Sequence, residues 1–349
     1  MTRRQILAMT GAAPAWLPAT SLAAAPAAKL RMGGAPTAFS ARMRAARQAS
    51  QPFDIIEHCH SIGLGGVQTG LPSTDADALK KFRQRLEAYN MHFVGGARLP
   101  RQESDVPAFD AQVKAYKEAG ALALHVPLTG RRYEVFDTLE AFKTHWEQCQ
   151  KMVSLAEPVL RKHQLKLAIE NHKDWRFAEH IAWLKRLGSE WVGVCVDTGN
   201  NIALCEDSTE LAEAYAPYAV FCHIKDMAVD EYEQGFLLDE VPMGEGLLDL
   251  PKIVGILRRA NPNIIIDLEM ITRDPLKIPV LTDKYWVTFD NSYSPLPGRD
   301  LARTLAMVRA KRSKTPLPQL SQLSLEEQVK AEDANNLKCI AYARRYLDL

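Results

Sequence analysis

Four strand-like segments of this sequence end in acidic or imidazole side chains. The segments are "LAIENH", "WVGVCVDTGN", "AVFCHIKD" and "NIIIDLEM", and the side chains are Glu170, Asp197, His223 and Glu269. An apolar strand has little reason to end this way, because burying a carboxylate or an imidazole without a partner costs several kcal/mol. Carboxylate oxygens and imidazole nitrogens are, however, the usual groups of metal sites and of proton transfer.

Side chains alternate along a strand, so the position of each residue predicts which way it points. In all four segments one face is wholly apolar and suits packing against helices, while the polar ends lie on the opposite face. Three carboxylates converging on one buried spot would repel one another without a counter-charge. A divalent cation supplies it, with His223 as the nitrogen ligand. The ligand set favours Mn²⁺, with Mg²⁺, Co²⁺ and Zn²⁺ as alternatives.

The elements that carry these residues predict an α/β fold, a (β/α)8 TIM barrel. Eight apolar segments alternate with helical patterns, and the other four segments are "KLRMGGAPT", "LGGVQTG", "MHFVGGARL" and "ALALHVPL". An open doubly wound sheet is the rival fold, but no G-x-G-x-x-G follows the first strand. In a barrel the strand ends gather at the C-terminal mouth, where active sites lie.

Both ends of the chain extend beyond this predicted barrel, which we assign to residues 29–312. Residues 1–28 resemble a twin-arginine export signal, with paired arginines, an Ala-rich segment and a small-residue cleavage pattern, and they predict a periplasmic or secreted protein. Residues 313–349 predict a linker and a C-terminal helix that begins with a capping box. Residues 227–247 and 271–300 predict two long loops at the mouth.

Composition excludes several classes of partner. Lys plus Arg number 43 and Asp plus Glu 42, and a net charge of +1 predicts no nucleic-acid binding. No apolar run is long enough to predict stable membrane insertion. Six cysteines are scattered without a C-x-x-C pair, so the sequence leaves their pairing open.

The ordered motifs "IENH", "VDTGN", "HIKD" and "DLEM" resemble the xylose isomerase-like barrels, a family of sugar phosphate isomerases and epimerases that includes the ketose 3-epimerases. The resemblance covers most of residues 30–270. It implies that Glu170, Asp197, His223 and Glu269 bind a divalent ion and that the two glutamates act as acid and base. It also implies a homodimer. The sequence departs from the epimerases at Asn200, where they carry a second histidine, and it lacks their arginine after the seventh strand.

Further residues near the strand ends predict contacts with a small carbohydrate. We expect Lys225 either to stabilise an enolate or to form an ion pair with Asp226 or another carboxylate. His172 is expected to bind a sugar hydroxyl or to be a satisfied core histidine, and the two tryptophans to stack on the sugar or simply to pack. The predicted substrate contacts are His172, Asn200, Trp175, Gln68, Arg98, His125 and Trp286.

These residues predict chemistry through an enediolate. One glutamate removes the proton α to a carbonyl, and the other returns it to the same carbon or to its neighbour. The leading hypothesis is an isomerase or epimerase of an unphosphorylated keto sugar, because the chain carries an export signal and no phosphate-binding loop. The alternatives are a lyase or dehydratase acting on a 3-keto-glycoside or polyol derivative, and a non-catalytic sugar-binding barrel. A nuclease of the same fold would need more metal ligands.

Overall fold

The eight predicted strands close into a parallel barrel in the computed structural model, which describes residues 31–349. The first strand pairs with the second on one side and with the last barrel strand on the other, which closes the ring. The predicted export signal lies outside the described residues. The barrel strands are β1 (Gly33–Gly34), β2 (Gly66–Thr69), β3 (His92–Gly96), β4 (Ala123–Val126), β5 (Lys166–Glu170), β6 (Val192–Asp197), β7 (Ala219–Ile224) and β10 (Ile265–Leu268).

Helices connect the strands, and several begin at an aspartate or threonine that caps them. The side chains of Asp75, Thr138, Asp207 and Asp249 each accept a backbone N–H of the first turn. The helices are α1 (Ser40–Gln48), α2 (Ile55–Ser61), α3 (Ala76–Ala88), α4 (Val106–Glu118), α5 (Arg132–Val135), α6 (Leu139–His163), α7 (Phe177–Leu187), α8 (Ser208–Tyr215), α9 (Leu250–Ala260), α10 (Asp283–Trp286), α11 (Gly298–Lys311) and α12 (Leu325–Tyr342).

Strand alternation divides the apolar residues into two layers, as the sequence predicts. The outward residues, such as Leu167, Val194 and Ile266, join the large core beneath the helices. The inward residues form a smaller cluster that fills the barrel, made of Val94, Ala123, Ala168, Cys195, Phe221 and Ile265. These side chains fill the barrel interior, and the polar residues on the same inward strand faces lie beyond them, at the strand ends.

The two segments predicted as long loops instead form a small antiparallel sheet. Strands β8 (Asp226–Tyr232), β9 (Gly235–Val241) and β11 (Leu276–Ile278) pair in the order β11-β9-β8. Their apolar residues, including Phe236 and Leu238, form a separate buried cluster with residues of α11. The prediction of loops was wrong because the two segments pair with each other, and alternate residues of β9, such as Phe236 and Leu238, are buried by this pairing. The sheet begins two residues after β7 and therefore stands at the barrel mouth, and we call it the mouth sheet.

The C-terminal extension packs against the first barrel elements. Helix α12 begins at the predicted capping box of Ser324 and Glu327 and continues as a π-helical turn over Ala343–Leu347. The buried Glu332 carboxylate accepts the backbone N–H groups of Ala41 and Arg42 at 2.6 and 2.9 Å. The extension is thus tied to the N-terminus of α1. None of the helices over residues 31–349 is long and apolar enough to cross a membrane.

Candidate metal centre

The structure brings the four predicted ligands together at the barrel mouth. Glu170 and Asp197 end strands β5 and β6, His223 lies one residue before the end of β7, and Glu269 follows β10. Strand register aligns them, since Asp197 pairs with His223 and the backbone N–H of Glu269 bonds to the carbonyl of Ile224. One donor atom from each residue lies within 4.8 Å of all the others, and all four residues are buried.

The donor set fits a divalent cation. His223 Nδ1 is buried and has no hydrogen-bond partner among the described residues. It lies 3.7 Å from Oε2 of Glu170 and 3.4 Å from Oε1 of Glu269. A buried ring nitrogen without a partner needs an explanation, and an imidazole nitrogen beside carboxylate oxygens matches the oxygen-rich sites of Mg²⁺ and Mn²⁺, with imidazole also suited to zinc.

Lys225 supplies positive charge to the same cluster. Its Nζ lies 2.7 Å from Oδ2 of Asp197 and 2.9 Å from Oε2 of Glu269. Burial acts to lower the pKa of Lys225, but the neighbouring carboxylates, Asp197 first, raise it above its ordinary value. Burial raises the pKa of Asp197 to about 7, against the opposing effect of Lys225. Lys225 therefore forms ion pairs with carboxylates other than Asp226, which instead accepts backbone N–H groups of the loop before α9.

Further charged residues near Lys225 were not predicted from the sequence. Glu240 of the mouth sheet lies 3.7 Å from Lys225 Nζ and accepts two hydrogen bonds from Arg273, at 3.0 and 2.7 Å. Lys173 has a left-handed backbone with φ of 65° and a buried side chain that donates to Asn200. Burial, followed by the charge of Lys225, lowers the pKa of Lys173 to about 8. In "GFLLDEV", Glu240 lies on the same strand face as the apolar Phe236 and Leu238, and this position was the available signal.

Both oxygens of Glu170 are held by residues predicted as substrate contacts. His125 Nε2 lies 2.8 Å from Oε2, and Asn200 Nδ2 donates to Oε1 at 3.0 Å. Burial acts to raise the pKa of Glu170, yet the charge of His172 and the hydrogen bond from His125 help hold it well below its ordinary range. Gln68 contacts two histidines of this cluster. Its Nε2 lies 2.9 Å from His125 Nδ1, and its Oε1 lies 2.6 Å from His223 Nε2.

Thr37 holds Glu269 and was not predicted from the sequence. It lies in a 3-10 helix, Pro36–Phe39, that follows β1. Its Oγ1 donates to Oε1 of Glu269 at 3.0 Å. Because β1 pairs with β10, the first and last strands bring these residues together, and no local motif around Thr37 signals this contact.

Within residues 31–349, the other predicted substrate contacts do not hydrogen-bond to the four predicted ligands as His125, Asn200 and Gln68 do. His172 is half-buried, and its Nδ1 lies 2.7 Å from the carbonyl of Thr129. Arg98 is exposed beside a separate cavity of about 270 Å³. Trp286 donates to the carbonyl of Val280 and packs against Phe289.

Trp175 corrects the prediction of a stacking wall most clearly. Its ring is 1% exposed and packs against Trp146 with ring centroids 4.0 Å apart, inside the helical core. Trp175 lies beyond the end of β5, and Lys173 between them has a left-handed backbone, so strand alternation does not predict where this ring points. A side chain buried in this way packs the core, which was the alternative for this residue.

A parallel barrel with two glutamates, an aspartate and a histidine at its mouth defines a class of protein. The chain belongs to the xylose isomerase-like TIM barrel family, whose model matches residues 56–286. This membership confirms the resemblance inferred from the four motifs.

Individual relatives cover different parts of the chain. A 3-oxo-isoapionate decarboxylase of Pectobacterium atrosepticum is 29% identical over 109 residues, which is 31% of this chain and 40% of the relative. The structure of an L-ribulose 3-epimerase is similar with a TM-score of 0.52 at 13% identity, covering 91% of this chain and 97% of the other. The IolI protein with a bound zinc atom gives 0.54 at 11% identity, covering 91% and 100%. These structures share the barrel fold.

Proposed function

We propose that this protein is a metal-dependent enzyme that transfers the proton α to the carbonyl of an unphosphorylated keto sugar. The observation that carries the proposal is the pair of carboxylates of Glu170 and Glu269, which lie 3.7 and 3.4 Å from His223 Nδ1, an atom without a hydrogen-bond partner within residues 31–349. Two carboxylates around one point suit removal of a proton by one and its return by the other. Family membership supports an enzyme of this general kind.

The proposed roles follow from the contacts of each side chain. Glu170, Asp197, His223 and Glu269 would hold a divalent cation, with Mn²⁺ expected first. When bound, such an ion supplies Lewis-acid stabilisation of negative charge on the substrate oxygen. His125 and Asn200 hold the two oxygens of Glu170, while Thr37 and Lys225 hold those of Glu269. Fixed carboxylates transfer protons at one defined position, which favours a single product.

Hydrogen exchange in D₂O tests this proposal directly. The Mn²⁺-loaded protein is incubated with a panel of unphosphorylated keto sugars, and NMR follows loss of the α-proton signal and appearance of an isomer. We expect exchange with the parent, and a loss of at least about 100-fold in Glu170→Gln and Glu269→Gln, since general acid–base groups contribute about 10²–10⁴-fold. Glu245→Gln is the matched control, because Glu245 is exposed and pairs with Lys338. Sugar binding without exchange would instead indicate a non-catalytic binding barrel.

A lyase is the second candidate, and the partial match to a 3-oxo-isoapionate decarboxylase favours it. In the decarboxylation of a 3-oxo acid, the bond to the carboxylate breaks, its electron pair forms an enolate, and CO₂ leaves. A glutamate then returns a proton to that carbon, so one acid suffices. In an elimination, the leaving group departs β to the enolate. Mass spectrometry separates these outcomes, because only an isomerase or epimerase conserves the mass of its substrate.

The cellular location and the assembly are separate proposals. We propose export of the folded protein through the paired arginines Arg3 and Arg4. Fractionation of cells expressing the parent and an Arg3→Lys, Arg4→Lys variant tests it, with the variant expected to stay in the cytoplasm. We also propose a homodimer, and light scattering of the purified protein tests it by giving the mass in solution.

A further inference from the structure

We propose that Gln68 is a positioning residue that fixes the tautomers of two histidines, presenting the lone pair of His223 Nδ1 to the metal and the N–H of His125 Nε2 to Glu170. This inference rests on the proposed metal-dependent function and adds a residue to it. Gln68 is buried on β2, and its amide contacts both rings.

The proton positions follow from the contact between His125 and Glu170. His125 Nε2 lies 2.8 Å from Oε2 of Glu170, and a carboxylate oxygen accepts, so this nitrogen carries the hydrogen. In a ring with one proton, Nδ1 then has a lone pair. Only the NH₂ group of the Gln68 amide can donate to that lone pair, which fixes the orientation of the amide.

The other end of the same amide then determines the state of His223. With its NH₂ group on His125, the amide presents Oε1 to His223 Nε2 at 2.6 Å. An amide oxygen only accepts, so His223 carries a hydrogen on Nε2, and a ring with one proton, as in a metal ligand, then leaves Nδ1 bare. This is the atom without a hydrogen-bond partner that faces Glu170 and Glu269. The hydrogen bond at one ring nitrogen thus selects the atom offered to a metal.

Gln68 reaches across the barrel to do this. In the ring of strands, β2 is separated from β7 by β1 and β10, so no strand pairing brings Gln68 and His223 together. The four residues instead form one chain, in which Gln68 links His223 to His125 and His125 links to Glu170. One amide therefore sets a ligand atom and orients a carboxylate that would act on substrate.

Two substitutions separate this role from simple packing. Gln68→Leu removes both hydrogen bonds. Gln68→Glu keeps the shape and an acceptor for His223 Nε2, but its carboxylate cannot donate to His125. We therefore expect His125 in Gln68→Glu to keep its hydrogen on Nε2 and to gain one on Nδ1, because carboxylate oxygens then face both ring nitrogens, whereas His223 keeps its hydrogen on Nε2. Gln112→Leu is the control, because the side chain of Gln112 accepts a hydrogen bond from the backbone N–H of Arg98 instead.

The experiment measures Mn²⁺ affinity by competition with a chelating dye and the histidine tautomers by ¹⁵N NMR of the metal-free protein. We expect about 10–100-fold weaker binding in Gln68→Leu, the usual effect of losing a partner of a ligating histidine. Gln68→Glu should bind Mn²⁺ at least as well as the parent, show the changed His125 signals, and lose turnover. Parental Mn²⁺ affinity in Gln68→Leu, or a His125 Nδ1 that stays without a hydrogen in Gln68→Glu, would overturn the proposal. The NMR readout needs neither metal nor substrate, so it stands apart from a failure of the proposed function.

Discussion

Thr37 Oγ1 donates a hydrogen bond to Oε1 of Glu269 at 3.0 Å, across 232 positions of sequence. The second oxygen of this carboxylate accepts from Lys225 Nζ at 2.9 Å. Glu269 is therefore held by a neutral donor on one side and a cation on the other. A carboxylate that must meet one proton of a substrate benefits from such fixed orientation, because small misplacements reduce the rate strongly.

Replacing Thr37 by valine removes the hydroxyl and keeps the shape of the side chain. We expect kcat to fall by about 10–100-fold, since hydrogen bonds to charged groups are worth about 1.5–3 kcal/mol and 1.36 kcal/mol corresponds to tenfold in rate. The melting temperature should stay within about 2 °C, because Thr37 is only half-buried. Thr37→Ser retains the hydroxyl and should retain most of the activity. Equal losses in the two variants would contradict a role for the hydroxyl.

The C-terminal helix stabilises the segment that carries Thr37. Glu332 accepts two backbone N–H groups at the start of α1, and Asn336 donates to the carbonyl of Ala38 at 2.8 Å. Glu332→Ala leaves the N–H groups of Ala41 and Arg42 without this acceptor, so we expect the free energy of unfolding to fall by about 2 kcal/mol.

Urea denaturation of Glu332→Ala and Asp333→Ala measures this effect against a neighbouring control. Asp333 forms a half-exposed ion pair with Arg42, and its loss should cost about 0–1 kcal/mol. Equal losses of stability in the two variants would contradict the larger contribution predicted for the buried Glu332 carboxylate.

Removing Lys225 tests the charge balance of the metal centre. In Lys225→Met, the carboxylates of Asp197 and Glu269 lose a buried counter-charge, so we expect the metal-free variant to lose about 3–5 kcal/mol of stability. Added Mn²⁺ should restore more stability to this variant than to the parent, measured as the shift in melting temperature with and without EDTA. Lys338→Met removes only the exposed pair with Glu245 and is the control. Equal Mn²⁺-dependent shifts in melting temperature in all three proteins would contradict the claim that Lys225 and the metal neutralise the same carboxylates.

Stability should depend on pH through His180. Burial lowers the pKa of His180 to about 3, whereas an unfolded histidine titrates near about 6.5. Between these values the unfolded chain binds a proton that the folded protein does not, so the free energy of unfolding falls as the pH decreases. The slope approaches about 1.4 kcal/mol per pH unit below about pH 6.

The variant His180→Gln isolates this contribution. Its side chain cannot titrate but can still contact the Tyr215 hydroxyl, which lies 3.2 Å from His180 Nδ1. Buried acids with raised pKa values, such as Glu206, act in the opposite direction but are common to both proteins. Urea denaturation between pH 7 and pH 4 should show the stability difference shifting in favour of the variant as the pH falls. A difference that stays constant would exclude His180 as its source.

Strand periodicity predicted the fold and the convergence of the four candidate ligands because both depend on local pattern. Each polar strand end is encoded by its own segment, and parallel strands bring such ends to one mouth without further information. Gln68 and His125 were found in the same way, since each lies at or near the end of an earlier strand. In the structure they hydrogen-bond to each other and to the predicted ligands Glu170 and His223.

The residues that the sequence did not reveal depend on contacts between distant elements. Thr37 meets Glu269 only because the barrel closes between its first and last strands. Glu240 and Arg273 reach Lys225 through the mouth sheet, whose strands lie in segments that were predicted to be loops. Trp175 was misplaced because it lies beyond the end of β5 and after the left-handed Lys173, where strand alternation no longer applies. Such turns and closures are tertiary events that alternation of side chains does not encode.

Metal content is the most direct test of the central claim that the strand ends form a cation site. The purified protein and a His223→Ala variant are incubated with Mn²⁺, freed of excess ion by gel filtration and analysed by elemental mass spectrometry. We predict close to one equivalent of metal in the parent and a large loss in the variant, because His223 Nδ1 is the nitrogen that faces both glutamates. A parent that retains no metal after incubation with Mn²⁺ or Co²⁺ would contradict the site and the chemistry proposed for it.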